Sequence, residues 1–161
     1  MLLNTSYFEG EITIGQASEF AVSHELQWYI DKYEPIFFHA AIGEILYQEL
    51  AESMQAETPD EKWTLLNDQI TKYAAKFVWC KYVEDGNTVH AGIGVVQINS
   101  ESATNKSAQP KFVRVWNEIV DNIPKVADWI INHGDVYETF DPDMNLYFEN
   151  GLHRHENLYA I

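Results

Sequence analysis

The sequence is poor in basic residues, and this shortage argues against a nucleic-acid binder. Its 10 lysines and arginines stand against 25 aspartates and glutamates, which gives a formal net charge of −15 over 161 residues. Nucleic-acid binding favours the opposite balance, because phosphates are met by lysine and arginine. The acidic composition favours solubility, a basic protein partner, or a wall along which DNA slides without adhering.

Cysteine and long apolar runs are also scarce. Cys80 is the single cysteine, which excludes an internal disulfide framework and is typical of a reducing compartment. No apolar run approaches the roughly 20 residues that a membrane-spanning helix requires. The residues after Met1 do not combine a charged segment with an apolar one, so we expect no secretory signal and synthesis in the cytosol.

What the sequence does contain predicts one mainly α-helical domain. Apolar residues make up 46% of the chain and aromatic residues 14%, which is too rich for a disordered protein. We expect a bundle of about four helices with a short β-strand or hairpin segment and extended terminal arms. Apolar residues at helical spacing predict helices at 18–34, 35–54, 58–86 and 111–132.

Proline, glycine and serine set the expected limits of these helices. Ser18 is the expected N-cap of the first helix. Pro35 is expected to split or kink the helical stretch around it, and Pro124 the last helix, because proline lacks an N–H. Gly43 costs about 1 kcal/mol inside a helix, a cost that a close backbone approach by another helix could offset.

The third helix carries the strongest signals. Thr58 can cap it, Pro59 suits the first helical position, and Glu61 completes a capping box. Gly86 follows its last turn, as a terminating glycine does. Its apolar stripe, which we predict to be core, comprises Trp63, Leu66, Ile70, Tyr73, Phe77 and Cys80.

Three segments lack the helical pattern. Residues 88–98 are rich in β-branched residues and contain two glycines, which predicts a strand or one arm of a hairpin. Residues 11–14 are a possible short strand. Residues 99–109 are small and polar, which predicts a mobile loop.

Helical periodicity stops after Gly134, although five aromatic residues follow. A purely solvated tail rarely carries so many aromatic residues. We therefore predict a helical domain over 1–134, with a β insertion near 88–109. We predict an aromatic, acidic C-terminal arm over 135–161 that docks on its own domain or on a neighbour.

No catalytic or metal-binding pattern stands out, and no cofactor is expected. His153 and His155 could share a metal ion on a strand, but no third ligand is marked near them. The segment from Asp141 fails as a calcium loop, because leucine stands where glycine and glutamate are required. Cys80 lies on an apolar stripe and is expected to be a small buried hydrophobe.

One ordered set of residues resembles a known family. The set comprises Tyr29-Ile30, Tyr33-Glu34-Pro35, Ile42-Gly43, Leu46-Tyr47, Leu50, Lys76-Phe77-Val78-Trp79, Tyr82, Gly92-x-Gly94-Val95-Val96 and Trp116-Asn117. In this order it resembles an uncharacterised family from Bacteroidetes phages and prophages. The resemblance covers about 12–134, and the layout is similar to head–tail connector proteins of long-tailed phages. The arm over 135–161 departs from the family pattern.

The resemblance implies a structural virion protein that is not an enzyme. Such connectors form a homo-oligomeric ring, usually of about twelve copies, under the portal protein. The ring extends the DNA channel to the tail or to further neck proteins, and DNA passes through without specific binding. The protein would lie at the head–tail junction of the virion, and in the host cytoplasm during assembly. The interface residues that we predict are Gly92, Gly94, Val96, Ile98, Tyr137, Phe140, Tyr147 and Phe148.

Two other functions remain open from the sequence. Size and charge equally suit an acidic helical inhibitor or immunity-type protein that binds a basic partner. A small enzyme that uses His39 and Glu44 in a helical cleft is the third hypothesis.

Overall fold

The structure is a computed structural model that describes residues 1–14, 20–86, 88–91, 94–97, 109–142 and 153–154. In these ranges the chain forms four α-helices: α1 (Phe20–Ile42), α2 (Glu44–Ser53), α3 (Glu61–Gly86) and α4 (Gln109–Ile131). Two short 3-10 turns, Thr5–Tyr7 and Gly10–Ile12, precede them. Thr88–Ala91 (β1) and Gly94–Gln97 (β2) pair as antiparallel strands. The prediction of a mainly helical bundle is confirmed.

The third helix is the centre of the bundle, and α1 and α4 both run antiparallel to it. Along α1, Tyr29 contacts Tyr82 and Phe37 contacts Phe77, so the two helices run in opposite directions. Trp116 near the start of α4 also contacts Phe77. All six residues of the apolar stripe predicted for α3 are buried, so this prediction is confirmed. The largest fully buried side chains are Phe37, Phe38, Leu26, Ile30, Ile42, Leu46, Leu50, Leu66, Ile70, Ile119, Ile123 and Ile130.

Of the split or kink expected at Pro35, the split is wrong, because α1 continues through this proline to Ile42. Proline at position 35 leaves the carbonyl of Asp31 without its helical donor. Asp31 is exposed, so water can satisfy that carbonyl. The break comes at Gly43, whose φ of 81° and ψ of 160° lie outside the usual range of residues with a side chain. A Cβ atom there would meet nothing within 4 Å. Glycine is therefore favoured at position 43 by the backbone angles and not by a close approach of another helix.

Three smaller expectations also need correction. The predicted strand at 11–14 is wrong: Gly10–Ile12 forms a 3-10 turn, and the alternation of buried apolar residues there imitated a strand. The third helix begins at Glu61, where the carbonyl of Asp60 accepts the N–H groups of Trp63 and Thr64. Of the split or kink expected at Pro124, the split is wrong, because α4 continues through this proline and only the carbonyl of Val120 loses its helical donor.

Two predicted features lie wholly or mostly outside the described residues. Ser18, the expected cap of α1, is one of them. Of the loop predicted at 99–109, only Gln109 is described, and it begins α4. Within the ranges that are described, no helix is long and apolar enough to cross a lipid bilayer.

Candidate interaction surface

The predicted interface residues of the β segment belong to two short paired strands. Val96 of β2 stands opposite Val89 of β1, and Gly94 stands opposite Ala91. Gly92 and Ile98 lie outside the described part of the chain, as do Tyr147 and Phe148 of the predicted arm. The interface role of these residues stays a prediction.

Tyr137, another predicted interface residue, is buried within its own chain. Its side chain is 3% exposed and its ring lies 6.0 Å from that of Trp63 and 5.6 Å from that of Trp129. Its hydroxyl donates a hydrogen bond of 2.6 Å to the carbonyl oxygen of Lys62, and burial raises the pKa of this phenol. Phe140 is half-buried against the same core. The first part of the predicted arm therefore docks on its own domain.

A second part of the predicted arm contacts α4. The indole nitrogen of Trp116 donates a hydrogen bond of 2.9 Å to the carbonyl oxygen of His153. Arg154 forms an ion pair with Asp121. These contacts place residues 153–154 beside the middle of α4.

Glu34 is a buried carboxylate, and its burial was not predicted from the sequence. It is 1% exposed and accepts hydrogen bonds of 2.8 Å from the backbone N–H groups of Leu2 and Leu3 and from the hydroxyl of Tyr47. Burial, and then this bond to Glu34, raise the pKa of Tyr47. The sequence signal is that position 34 shares a helix face with Ile30, but its backbone donors lie 32 and 31 positions away and helical spacing does not reveal them.

A group of ion pairs joins the N-terminal segment to two helices. The ammonium of Lys76 on α3 lies 2.5 Å from a carboxylate oxygen of Glu118 on α4 and 3.7 Å from one of Glu11. Arg114 on α4 also binds Glu11, at 2.7 Å. The Lys76 side chain is only 16% exposed, so its pairs are screened less than ordinary surface pairs.

Aromatic residues that are far apart in sequence contact one another across the bundle. The ring centroids of Tyr29 and Tyr82 lie 5.3 Å apart, and those of Phe77 and Trp116 lie 6.1 Å apart. Tyr29 also donates a hydrogen bond of 3.1 Å to Asp85. Burial, followed by this bond and the nearby carboxylates, raises the pKa of Tyr29 to about 12. Tyr33 contacts both Tyr29 and Phe77 and so joins these residues into one packing set.

The groups considered for chemistry do not converge. His39 lies edge-on to the ring of Tyr47, and Glu44 accepts a hydrogen bond from Gln48, so each is engaged by a neighbour on or next to α2. Cys80 is fully buried, and burial raises its pKa to about 12, which keeps the thiol protonated at neutral pH. Its prediction as a small buried hydrophobe is confirmed. Among the residues that the structure describes, no three metal-ligating side chains come together.

Comparison with protein-family models, with curated proteins and with solved structures finds no match for this chain.

Proposed function

We propose that this chain is a head–tail connector subunit, a structural virion protein that assembles as a ring under the portal and extends the DNA channel to the tail. One observation supports this proposal more than any other. Five aromatic residues of the resembling set contact one another in the bundle, and they are Tyr29, Tyr33, Phe77, Tyr82 and Trp116. Such residues specify a fold, and a structural subunit acts through its fold and its contacts with neighbours.

Contacts between residues of this set span all four helices. Glu34 and Tyr47 join α1 to α2 through a hydrogen bond of 2.8 Å. Tyr29 and Tyr82 join α1 to α3, and Trp116 brings α4 onto α3. A rigid bundle of this kind can repeat around a ring through heterologous contacts that close by rotation, here in about twelve copies.

In the proposed ring, the β segment and the C-terminal arm reach neighbouring subunits. In the described part of the chain β1 and β2 form a two-stranded sheet, and two strands alone are marginally stable in water. A neighbour or the portal protein that packs on this segment would stabilise it. We assign this contact to Gly92, Gly94, Val96 and Ile98, and a second contact, with further neck or tail proteins, to Tyr147 and Phe148.

The net charge of −15 is compatible with a channel wall. Carboxylates repel the phosphates of DNA, so DNA would move past the ring without specific binding. The subunit would be present in the host cytoplasm before assembly and at the head–tail junction of the virion afterwards.

Mass spectrometry of purified phage particles from the source, with copy number per virion, tests the proposal. We expect about a dozen copies, the number that the resemblance to connector rings implies. Purified subunit should also bind isolated portal rings. Absence from virions together with failure to bind the portal would overturn the proposal.

The alternative is an acidic helical inhibitor or immunity-type protein that covers a basic partner. The excess of 25 acidic over 10 basic residues favours it. Gene context separates the two functions: a connector gene lies among portal, capsid and tail genes, and an inhibitor gene lies beside that of its target.

A further inference from the structure

The chain before α1 crosses the bundle as a strap, which we define as residues 1–14. Near the start of the strap, Glu34 on α1 accepts hydrogen bonds of 2.8 Å from the backbone N–H groups of residues 2–3. Near its end, Glu11 forms an ion pair of 2.7 Å with Arg114 on α4. The strap is therefore fastened to two helices that both lie against α3.

The bundle is complementary in charge to the strap at this second attachment. The Nε atom of Arg114 donates a hydrogen bond of 2.8 Å to one carboxylate oxygen of Glu11, and the ammonium of Lys76 on α3 lies 3.7 Å from the other oxygen. Two cations from different helices thus face one carboxylate of the strap. Most of the Lys76 side chain is shielded from solvent, so its attraction is screened less than that of an ordinary surface pair.

Apolar side chains also attach the strap to the bundle. Leu3, Phe8, Ile12 and Ile14 are each at most 8% exposed and belong to the core. A strap that opened into solvent would expose all four, which is unfavourable. A strap that left its own bundle would therefore need an identical surface to receive it.

The strap is attached to the bundle through side chains, and its backbone pairing is local. Within the described residues, its N–H groups at positions 7, 8, 12 and 13 each donate to the carbonyl three positions earlier. Its polar partners in the bundle, Glu34, Lys76 and Arg114, mark the groove that the strap fills. Every copy of the chain carries the same strap and the same groove, so a strap can make the same contacts on a second copy.

We propose that two copies of this chain exchange their straps, so that residues 1–14 of one copy fill the groove of the other. The contacts of the exchanged pair repeat those within a single chain, which makes exchange a low-cost route to association. The occupant is a second copy, because its strap matches the buried carboxylate, the two cations and the apolar surface of the groove together. The inference goes beyond the connector role, because this contact needs neither a portal nor a virion.

Two charge reversals at one ion pair test the exchange in the full chain. Glu11→Lys places a third cation beside Lys76 and Arg114, and Arg114→Glu places a second carboxylate beside Glu11. Each variant alone repels its own strap, but in a mixture the strap of each variant matches the groove of the other.

Native mass spectrometry of the equimolar mixture, with one variant labelled with ¹⁵N, distinguishes the dimers by mass. After warming to permit exchange, we expect the heterodimer to exceed either homodimer about threefold or more. Absence of the heterodimer from concentrated mixtures would overturn the proposal.

A control mixture of Glu9→Lys and Lys125→Glu makes the same charge changes, one in the strap and one on α4. Both residues are exposed, and neither forms an ion pair within the described part of the chain. Heterodimers of this mixture should be no more abundant than chance pairing gives. An equal excess in both mixtures would overturn the proposal, because net charge alone would then explain the pairing.

A second test does not depend on repulsion. Glu11→Cys/Arg114→Cys puts two thiols at the positions of the ion pair, while the native Cys80 is fully buried. Mild oxidation of the concentrated chain should give covalent dimers on a non-reducing denaturing gel, because the strap of one copy meets α4 of the other. Glu11→Cys/Lys125→Cys, whose positions are not paired, gives the level of chance collision.

Cross-linked monomers alone, or dimers no more abundant than in that control, would overturn the exchange. Both experiments use the isolated chain. Their failure would leave the connector proposal standing, and absence of the chain from virions would leave the exchange standing.

Discussion

Glu34 accepts a hydrogen bond of 2.8 Å from the hydroxyl of Tyr47, across the break that separates α1 from α2. The same carboxylate holds the backbone of Leu2 and Leu3 against α1. One side chain therefore fixes the angle between two helices and the course of the N-terminal segment. A carboxylate that is 1% exposed is stable only when its oxygens are fully hydrogen-bonded, and these three donors meet that need.

Replacing Glu34 with glutamine tests this arrangement. Glutamine keeps the shape but offers one acceptor oxygen and places an NH₂ donor against a backbone N–H. We expect Glu34→Gln to lower the free energy of unfolding by about 1–3 kcal/mol, the cost of an unsatisfied buried polar group. Tyr47→Phe, which removes one donor, should cost about 1 kcal/mol. Urea denaturation measures both, and a Glu34→Gln chain as stable as the parent would contradict this account.

How much the sequence revealed depends on whether a feature is local or tertiary. The buried stripe of α3 was predictable, because helical periodicity is a property of the segment itself. Glu34 was missed because its burial depends on backbone donors from residues 2 and 3, 32 and 31 positions away in the chain. The break between α1 and α2 was predicted at Pro35, because proline disfavours the interior of a helix. In the structure the helix runs through Pro35 and ends before Gly43, whose backbone angles suit glycine.

The predicted interaction surface shows the same division. The aromatic content of the arm indicated docking, and Tyr137 does dock, but nothing in the sequence specified Trp63 and Trp129 as its neighbours. The contacts that the segment after α4 makes with Lys62 and with Glu49 were not predictable either, because they follow from the packing of the whole bundle.

The break at Gly43 predicts opposite effects for two alanine substitutions. Gly43→Ala should cost about 1–3 kcal/mol, because a φ of 81° with a ψ of 160° is strained for a residue with a Cβ, although space is free there. Pro35→Ala restores an N–H within a continuous helix and should leave stability equal or raise it by about 1–2 kcal/mol, after the unfolded chain gains freedom. Thermal and urea melts of both variants are the measurement. A loss at position 35 as large as that at position 43 would show that the helix does not run through the proline.

Stability should fall in alkaline solution because buried acids keep their protons in the folded chain. The pKa of Tyr29 is raised from 10.0 to about 12 and that of Cys80 from 9.0 to about 12, in both cases mainly by burial. Between these limits the unfolded chain has lost protons that the folded chain retains. Below about pH 9 both groups are protonated in the folded and the unfolded chain, and the free energy of unfolding is not reduced by their ionisation. As the pH rises from about 9 to about 12, these groups ionise more readily in the unfolded chain, so the free energy of unfolding falls.

Urea melts at a series of pH values measure the effect. Tyr29→Phe cannot ionise at this position, so the decline between about pH 10 and 12 should be shallower than in the parent chain. Tyr7→Phe makes the same chemical change at an exposed tyrosine and is the matched control. If the Tyr29→Phe chain declined as steeply as the parent, another group would have to be responsible.

Tyr137 separates a core role from an interface role. If its ring belongs to the core, Tyr137→Ala should lower the free energy of unfolding of the isolated chain by about 3–5 kcal/mol. Tyr137→Phe should cost about 1 kcal/mol, because it removes only the bond to the Lys62 carbonyl. If Tyr137 served mainly as an interface residue, Tyr137→Ala would leave the melts of the isolated chain unchanged and would abolish binding to the portal ring. The structure favours the first outcome, since a ring held between Trp63 and Trp129 at 3% exposure has almost no surface left for a partner.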